Sequence, residues 1–93
     1  MLETQREKID AIDAQLVPLL TQRLALSKEI ATEKASTHSP LTNKEREQAI
    51  YAQVKAAADP EVQGYLKTLF EDIILVSKQY QAHVIQDIND SEK

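Results

Sequence analysis

Residues 4–34, TQREKIDAIDAQLVPLLTQRLALSKEIATEK, decide the fold. Apolar side chains recur at Ile9, Ile12, Leu16, Leu19, Leu20, Leu26 and Ile30. That spacing is heptad-like and predicts a helix running to about Lys34. Thr4 and Glu7 form a T-x-x-E capping box at its start, in which each side chain satisfies an orphan backbone N–H. Pro18 interrupts the stripe, and a proline inside a helix costs about 3 kcal/mol and usually kinks it. Ile9, Leu16 and Ile30 keep one seven-residue phase on both sides of Pro18. One long kinked helix is therefore expected rather than two helices that meet there.

The rest of the chain extends the same pattern. Residues 35–42, ASTHSPLT, are the loop-like cluster near the middle. Thr42 or Asn43 caps a second helix over NKEREQAIYAQVKAAA. Asp59 and Pro60 then read as an N-cap with proline in the first helical position. A third helix follows to about Ile88, with apolar positions at Val62, Leu66, Leu69, Phe70, Ile73, Val76, Tyr80 and Val84. Gly64 weakens its first turn, and residues 89–93 read as a flexible, solvated tail. The expectation is a single all-α domain over 1–93 with three helices.

Composition narrows the function classes. Acids outnumber bases 15 to 11, for a net charge of −4, so there is no basic excess to hold nucleic acid. Cysteine is absent, which removes disulfides and thiolate chemistry. His38 and His83 lie far apart in no ligand-spacing pattern, so no metal site is expected. His38 reads as a loop residue and His83 as a solvated or partly packed helix residue. The chain has one glycine and three prolines, too few turn-formers for a many-stranded β protein. No apolar run approaches the roughly 18 residues of a membrane span. MLETQREKID has no export-signal core, so a cytoplasmic protein with no membrane partner is expected. With no second domain, the chain is also expected to be monofunctional.

Length carries a further implication. A 30-residue helix spans about 45 Å, whereas a compact chain of this length has a radius of gyration of about 12 Å. The first helix is too long for its own chain to cover, so its stripe calls for a partner, most simply a two-fold dimer.

The residues that break the stripes point to chemistry. Arg23 falls on the phase of Ile9, Leu16 and Ile30, Lys34 lies one turn past Ile30, and Arg6 one turn before Ile9. On the third helix Ser77 and Gln81 continue the line of Leu66, Phe70 and Ile73. On the second, Glu47 lies one turn before Ile50 and Tyr51, with Arg46 beside it. Each of these alone is explained by snorkelling or by a register-setting polar residue. Together they place three or four inward cations against one carboxylate, and buried charge wants a partner. A bound polyanion would supply it. Arg6 and Arg23 are about 25 Å apart along a helix. If both serve one site, Arg6 must come from a partner subunit. Arg23 and Lys34, about 16 Å apart along the axis, can reach toward one ligand with two anionic groups.

These residues resemble the all-α (type II) class of chorismate mutases over nearly the whole chain. The carriers are REKIDAID at 6–13, LLTQR at 19–23, the lysine of ATEK at 31–34, NKERE at 43–47 and LFEDIILVSKQYQ at 69–81. The resemblance implies an intertwined helical homodimer with two identical sites, converting chorismate to prephenate in phenylalanine and tyrosine biosynthesis without a cofactor. It also implies residue roles. Arg6 reaches in from the partner subunit to one substrate carboxylate, while Arg23 and Arg46 hold carboxylates from their own chain. Lys34 bridges a carboxylate and the ether oxygen. Glu47 holds the ring hydroxyl, Gln81 hydrogen-bonds the ether oxygen from the other side, and Ser77 touches a carboxylate. Asn43 stands where some relatives carry aspartate, which puts hydroxyl recognition in question if that position acts through a carboxylate. Pro18 departs from the uninterrupted first helix of the family.

The reaction explains this residue list. An intramolecular pericyclic rearrangement needs no nucleophile or metal. It needs a flexible dianion held in its compact conformer, forked cations for the carboxylates, and donors for the ether oxygen as the C–O bond breaks. Lys34, Gln81 and Arg23 are the expected catalytic residues. Rival readings are an isochorismate pyruvate-lyase of the same fold, a non-catalytic helical dimer binding a metabolite or partner, and, last, a coiled-coil adaptor.

Overall fold

The computed structural model describes residues 1–92, which form three helices and no strand: α1 (Glu3–Thr37), α2 (Lys44–Ala57) and α3 (Gln63–Ser91). The third helix packs against both others, while α1 and α2 do not pack on each other. The molecule measures 58 × 27 × 14 Å, with a radius of gyration of 16.6 Å. That exceeds the radius of about 12 Å for a compact chain of this length.

The elongation comes from α1. Its first 20 residues, Glu3–Gln22, are all exposed, and its buried side chains, Ser27 and Ala31, lie in the C-terminal half. Ile9, Ile12, Leu16, Leu19, Leu20, Leu26 and Ile30 all stand open within the chain, as do Leu69, Leu75 and Val76 of α3. The within-chain core is a narrow seam. Ile74, Ser77, Gln81 and Val84 of α3, at helical spacing, close against the second half of α1.

Helix α1 runs unbroken through Pro18, so the two-helix alternative does not hold. The proline leaves one upstream carbonyl without its N–H donor, and this stretch of helix is exposed, where water can serve it. The Thr21 hydroxyl donates to the Val17 carbonyl at 2.8 Å. The capping box at Thr4 and Glu7 does not form: the N-cap is Leu2, without a side-chain bond, and Thr4 already lies inside the helix. The N-terminal ammonium instead pairs with Glu3 in the first turn. That pairing and the Glu3 backbone N–H hold the Glu3 carboxyl below its usual range. At the other end the helix continues three residues past Lys34 and stops at His38, which adopts a left-handed conformation (φ 55°). The N–H groups of His38 and Ser39 both donate to the Lys34 carbonyl, closing the end.

Asn43 caps α2, its side-chain oxygen accepting from the Arg46 N–H at 3.0 Å. Replacing a cap of this kind by alanine costs about 1 kcal/mol. Asn43→Ala is thus expected to lower the unfolding free energy measured in urea by that amount, and an unchanged midpoint would show that the cap is idle.

The third helix starts later than expected. Pro60–Val62 form a turn closed by the Val62 N–H on the Asp59 carbonyl at 3.0 Å, and Asp59 is not the N-cap. The cause is tertiary. The Gln63 amide reaches back to the Lys55 carbonyl at 3.1 Å and the Ala58 carbonyl at 3.5 Å. It satisfies orphan acceptors at the end of α2 and fixes the corner between the helices. The C-terminal end also differs: residues 89–91 are helical rather than a tail. Gln86 donates to Asp90 at 3.0 Å, the Ser91 hydroxyl donates to the Asp87 carbonyl at 2.9 Å, and Ile85 and Ile88 are half-buried. Lys93, the last position assigned to the tail, lies outside the described residues.

Candidate active site

A cleft of about 360 Å³ lies where α3 forms the floor and α1 and α2 the walls. It is lined by Arg23 and Lys34 from α1, Asn43 at the start of α2, Arg46 and Glu47 from α2, and Ser77 and Gln81 from α3. Seven of the eight residues singled out in the sequence therefore share one cavity. The eighth, Arg6, lies outside it on the exposed half of α1. Leu26, Ile30, Ile50 and Ile74 supply an apolar lining beside these polar groups.

The elements place these side chains by simple periodicity. Arg23, Ser27, Ile30 and Lys34 succeed one another at spacings of about one helical turn, on the α1 face that meets α3. Ile74, Ser77 and Gln81 do the same on α3. The Asn43 cap bears directly on the site. Its side chain holds the Arg46 N–H and its carbonyl accepts from the Glu47 N–H at 3.0 Å, so both charged residues sit in a tied first turn. Its side-chain oxygen is engaged in that cap, so Asn43 shapes the cleft through the helix end.

Lys34 is held on two sides. Its ammonium donates to the Leu41 carbonyl in the loop at 2.7 Å and to Gln81 Oε1 at 3.2 Å. An ammonium has three donors, so one remains. Gln81 in turn donates through Nε2 to Ser77 Oγ at 3.2 Å. Ser77 Oγ lies 2.6 Å from the hydroxyl of Ser27, and Ser27 donates back to the Arg23 carbonyl at 3.1 Å. A hydroxyl has a single proton. With the Ser27 proton on Arg23, Ser77 must donate to Ser27 and accept from Gln81. The Gln81 amide is thereby oriented, with its oxygen on Lys34 and its nitrogen on Ser77; the reverse would set donor against donor. One Gln81 N–H remains uncommitted. Ser27, Ser77 and Gln81 are only 4%, 6% and 6% exposed, so water does not replace this network.

Two polar lining residues were not singled out in the sequence. Ser27 lies one turn past Arg23 on the same face, but a serine within a helix stripe carries little signal. Lys78 follows Ser77 and reads as one more solvated lysine. It forms an ion pair with Glu47 at 3.2 Å. The cleft thus gathers four cations (Arg23, Lys34, Arg46 and Lys78) and one carboxylate, Glu47. No hydrogen-bond or ion-pair partner engages the guanidinium groups of Arg23 and Arg46 among the described residues. His83 lies elsewhere, exposed and 3.5 Å from Asp87, and no cluster among the described residues could hold a metal ion. No helix among the described residues is long and apolar enough to cross a membrane.

Among the described residues, three cations without an anionic partner, Arg23, Lys34 and Arg46, thus stand beside the oriented Gln81 amide on an all-α scaffold. Residues 5–82 match the chorismate mutase type II family, and the chain belongs to it. A stretch of 45 residues is 44% identical to a bifunctional chorismate mutase/prephenate dehydratase of Enterobacter agglomerans. That stretch is 48% of this chain and 12% of the relative, so the chain spans only a small part of that protein's length. No solved structure matches the chain.

Proposed function

We propose that this chain is a chorismate mutase, rearranging chorismate to prephenate within one molecule. The observation that carries the reading is the cleft itself. It joins three anion-free cations to two uncommitted N–H donors, one on Lys34 and one on Gln81, in side chains tied together by the Lys34 ammonium donating to Gln81 Oε1 at 3.2 Å.

The substrate is a dianion with an enolic ether. Arg23 and Arg46 take its carboxylates in bidentate fashion, and the Ser77 hydroxyl turns its proton from Ser27 to one of them when substrate binds. The carboxylate of Glu47 accepts from the ring hydroxyl. Binding in the compact conformer brings the reacting carbons together, which removes much of the entropic barrier. As the C–O bond breaks and the C–C bond forms, negative charge gathers on the ether oxygen. The free donors of Lys34 and Gln81 meet it there, already oriented by Leu41 and Ser77. Every atom of the substrate is retained in the product, and the proton count does not change.

The site is completed by a second copy. Support comes from the unpartnered stripe of α1, too long for its own chain to cover, and from Arg6 lying outside the cleft of its own chain. In an intertwined homodimer, with α1 bent at Pro18, the partner's Arg6 closes the cleft over a carboxylate. Sedimentation at low micromolar concentration is expected to give twice the chain mass; a stable folded monomer would refute the dimer. The proposed setting is aromatic amino-acid synthesis in the cytoplasm.

The reaction is tested by following chorismate absorbance on adding the protein and identifying the product. Prephenate should form, and Arg23→Ala should lower kcat/KM by about 100-fold or more, the cost of leaving a carboxylate without its charged partner. Release of pyruvate from isochorismate, with chorismate untouched, would overturn the mutase reading in favour of a lyase.

A further inference from the structure

We propose that Lys78 is a positioning residue that holds the Glu47 carboxylate away from the cations that receive the substrate. The inference rests on the proposed mutase reading of the cleft and adds a residue to it. Among the described residues, Glu47 is the only carboxylate lining a cavity that also contains Arg23, Lys34 and Arg46. A carboxylate without a partner of its own would fold onto one of those cations, because opposite charges attract strongly at short range in a partly buried site. The cation so neutralised would be lost to the dianion. Lys78 prevents this from the opposite helix. Its ammonium lies 3.2 Å from Glu47 Oε2, with the two side chains only 26% and 21% exposed.

The chemistry of the pair fits the role. A lysine is a compact charge that engages one carboxylate oxygen, where an arginine fork would occupy both. Glu47 Oε1 is therefore left to accept a hydrogen bond from a ligand hydroxyl. The bond also links α2 to α3 across the cleft floor, so it fixes the carboxylate in position as well as in charge. Lys78 itself is balanced by Glu47, which leaves Arg23, Lys34 and Arg46 as the surplus charge for the substrate.

A double-mutant cycle on chorismate turnover tests this. Lys78→Met is expected to raise KM about tenfold with kcat changed less than about threefold, a coupling of ordinary size for two groups in contact. Lys78→Gln, which keeps a donor but no charge, should do the same. In a Glu47→Gln background neither substitution should have any further effect, because Lys78 acts through that carboxylate. Equal losses in both backgrounds, or full activity in Lys78→Gln, would overturn the role while the wild-type protein still turns chorismate over. A wild-type protein without turnover would overturn the reaction and this role together.

Discussion

Lys34→Ala is expected to lower kcat about 100- to 1000-fold, the usual cost of removing one preorganised donor from a developing oxyanion. The loss should fall on kcat more than on KM. The ammonium is already fixed by the Leu41 carbonyl and Gln81 before substrate arrives, so its contribution grows as charge develops on the ether oxygen. The substitution also unties the loop before α2 from α1. Urea unfolding separates that effect from the catalytic one: a helical chain of near wild-type stability with a collapsed kcat is the expected pair of results. An unchanged kcat would remove Lys34 from the mechanism.

Gln81→Glu should convert a pH-independent donor into an acid-dependent one. An amide donates at any physiological pH, whereas a carboxyl donates only while protonated. With an ordinary glutamate pKa of about 4.3, roughly 0.2% of the variant is in the donating form at pH 7. Lys34, 3.2 Å from the Gln81 amide oxygen, would favour the charged form further. Activity therefore belongs to pH values below the new carboxyl's pKa and is lost as pH rises through it. The expected result is a loss of about 100-fold or more near neutrality, recovered about tenfold per pH unit on acidification. A pH–rate profile that overlaid the wild type would show that Gln81 does not donate to the reacting atoms.

Much of the fold is legible in the sequence because local periodicity dominates it. The phase shared by Ile9, Leu16 and Ile30 carries α1 through Pro18, and of the two caps the sequence offers for α2, Thr42 and Asn43, the second is used. What fails is set by particular bonds that periodicity does not report. The start of α3 moves from Asp59 to Gln63 because the Gln63 amide is drawn to the Lys55 carbonyl, a bond no local propensity reports. The capping box at Thr4 loses to a helix whose N-cap, Leu2, lies two residues earlier. Residues 89–91 stay helical, with the Gln86 amide donating to the Asp90 carboxylate and the Ser91 hydroxyl to the Asp87 carbonyl.

The candidate site shows the same division. Arg23, Lys34, Arg46, Glu47, Ser77 and Gln81 stand out because each puts polarity where an apolar stripe should continue, and α3 brings them to one cleft. Ser27 and Lys78 carry no such signal. A small hydroxyl is unremarked within a helix, and a lysine next to a site residue resembles a solvated one. Their parts emerge only from the serine pair at 2.6 Å and the ion pair at 3.2 Å. Arg6 is legible as a misplaced cation, and within the described chain it lies outside the cleft.

The most direct test of a mutase site shared between two copies is chorismate turnover by mixed dimers. Arg6→Ala and Lys34→Ala chains, each impaired alone, are unfolded together, refolded and assayed. Half of the dimers pair one chain of each kind, and one of the two sites in each carries neither substitution. The mixture should recover about a quarter of the wild-type rate. Turnover no greater than the mean of the two separate variants, with mixed dimers demonstrated by mass, would contradict a cleft completed by the partner's Arg6.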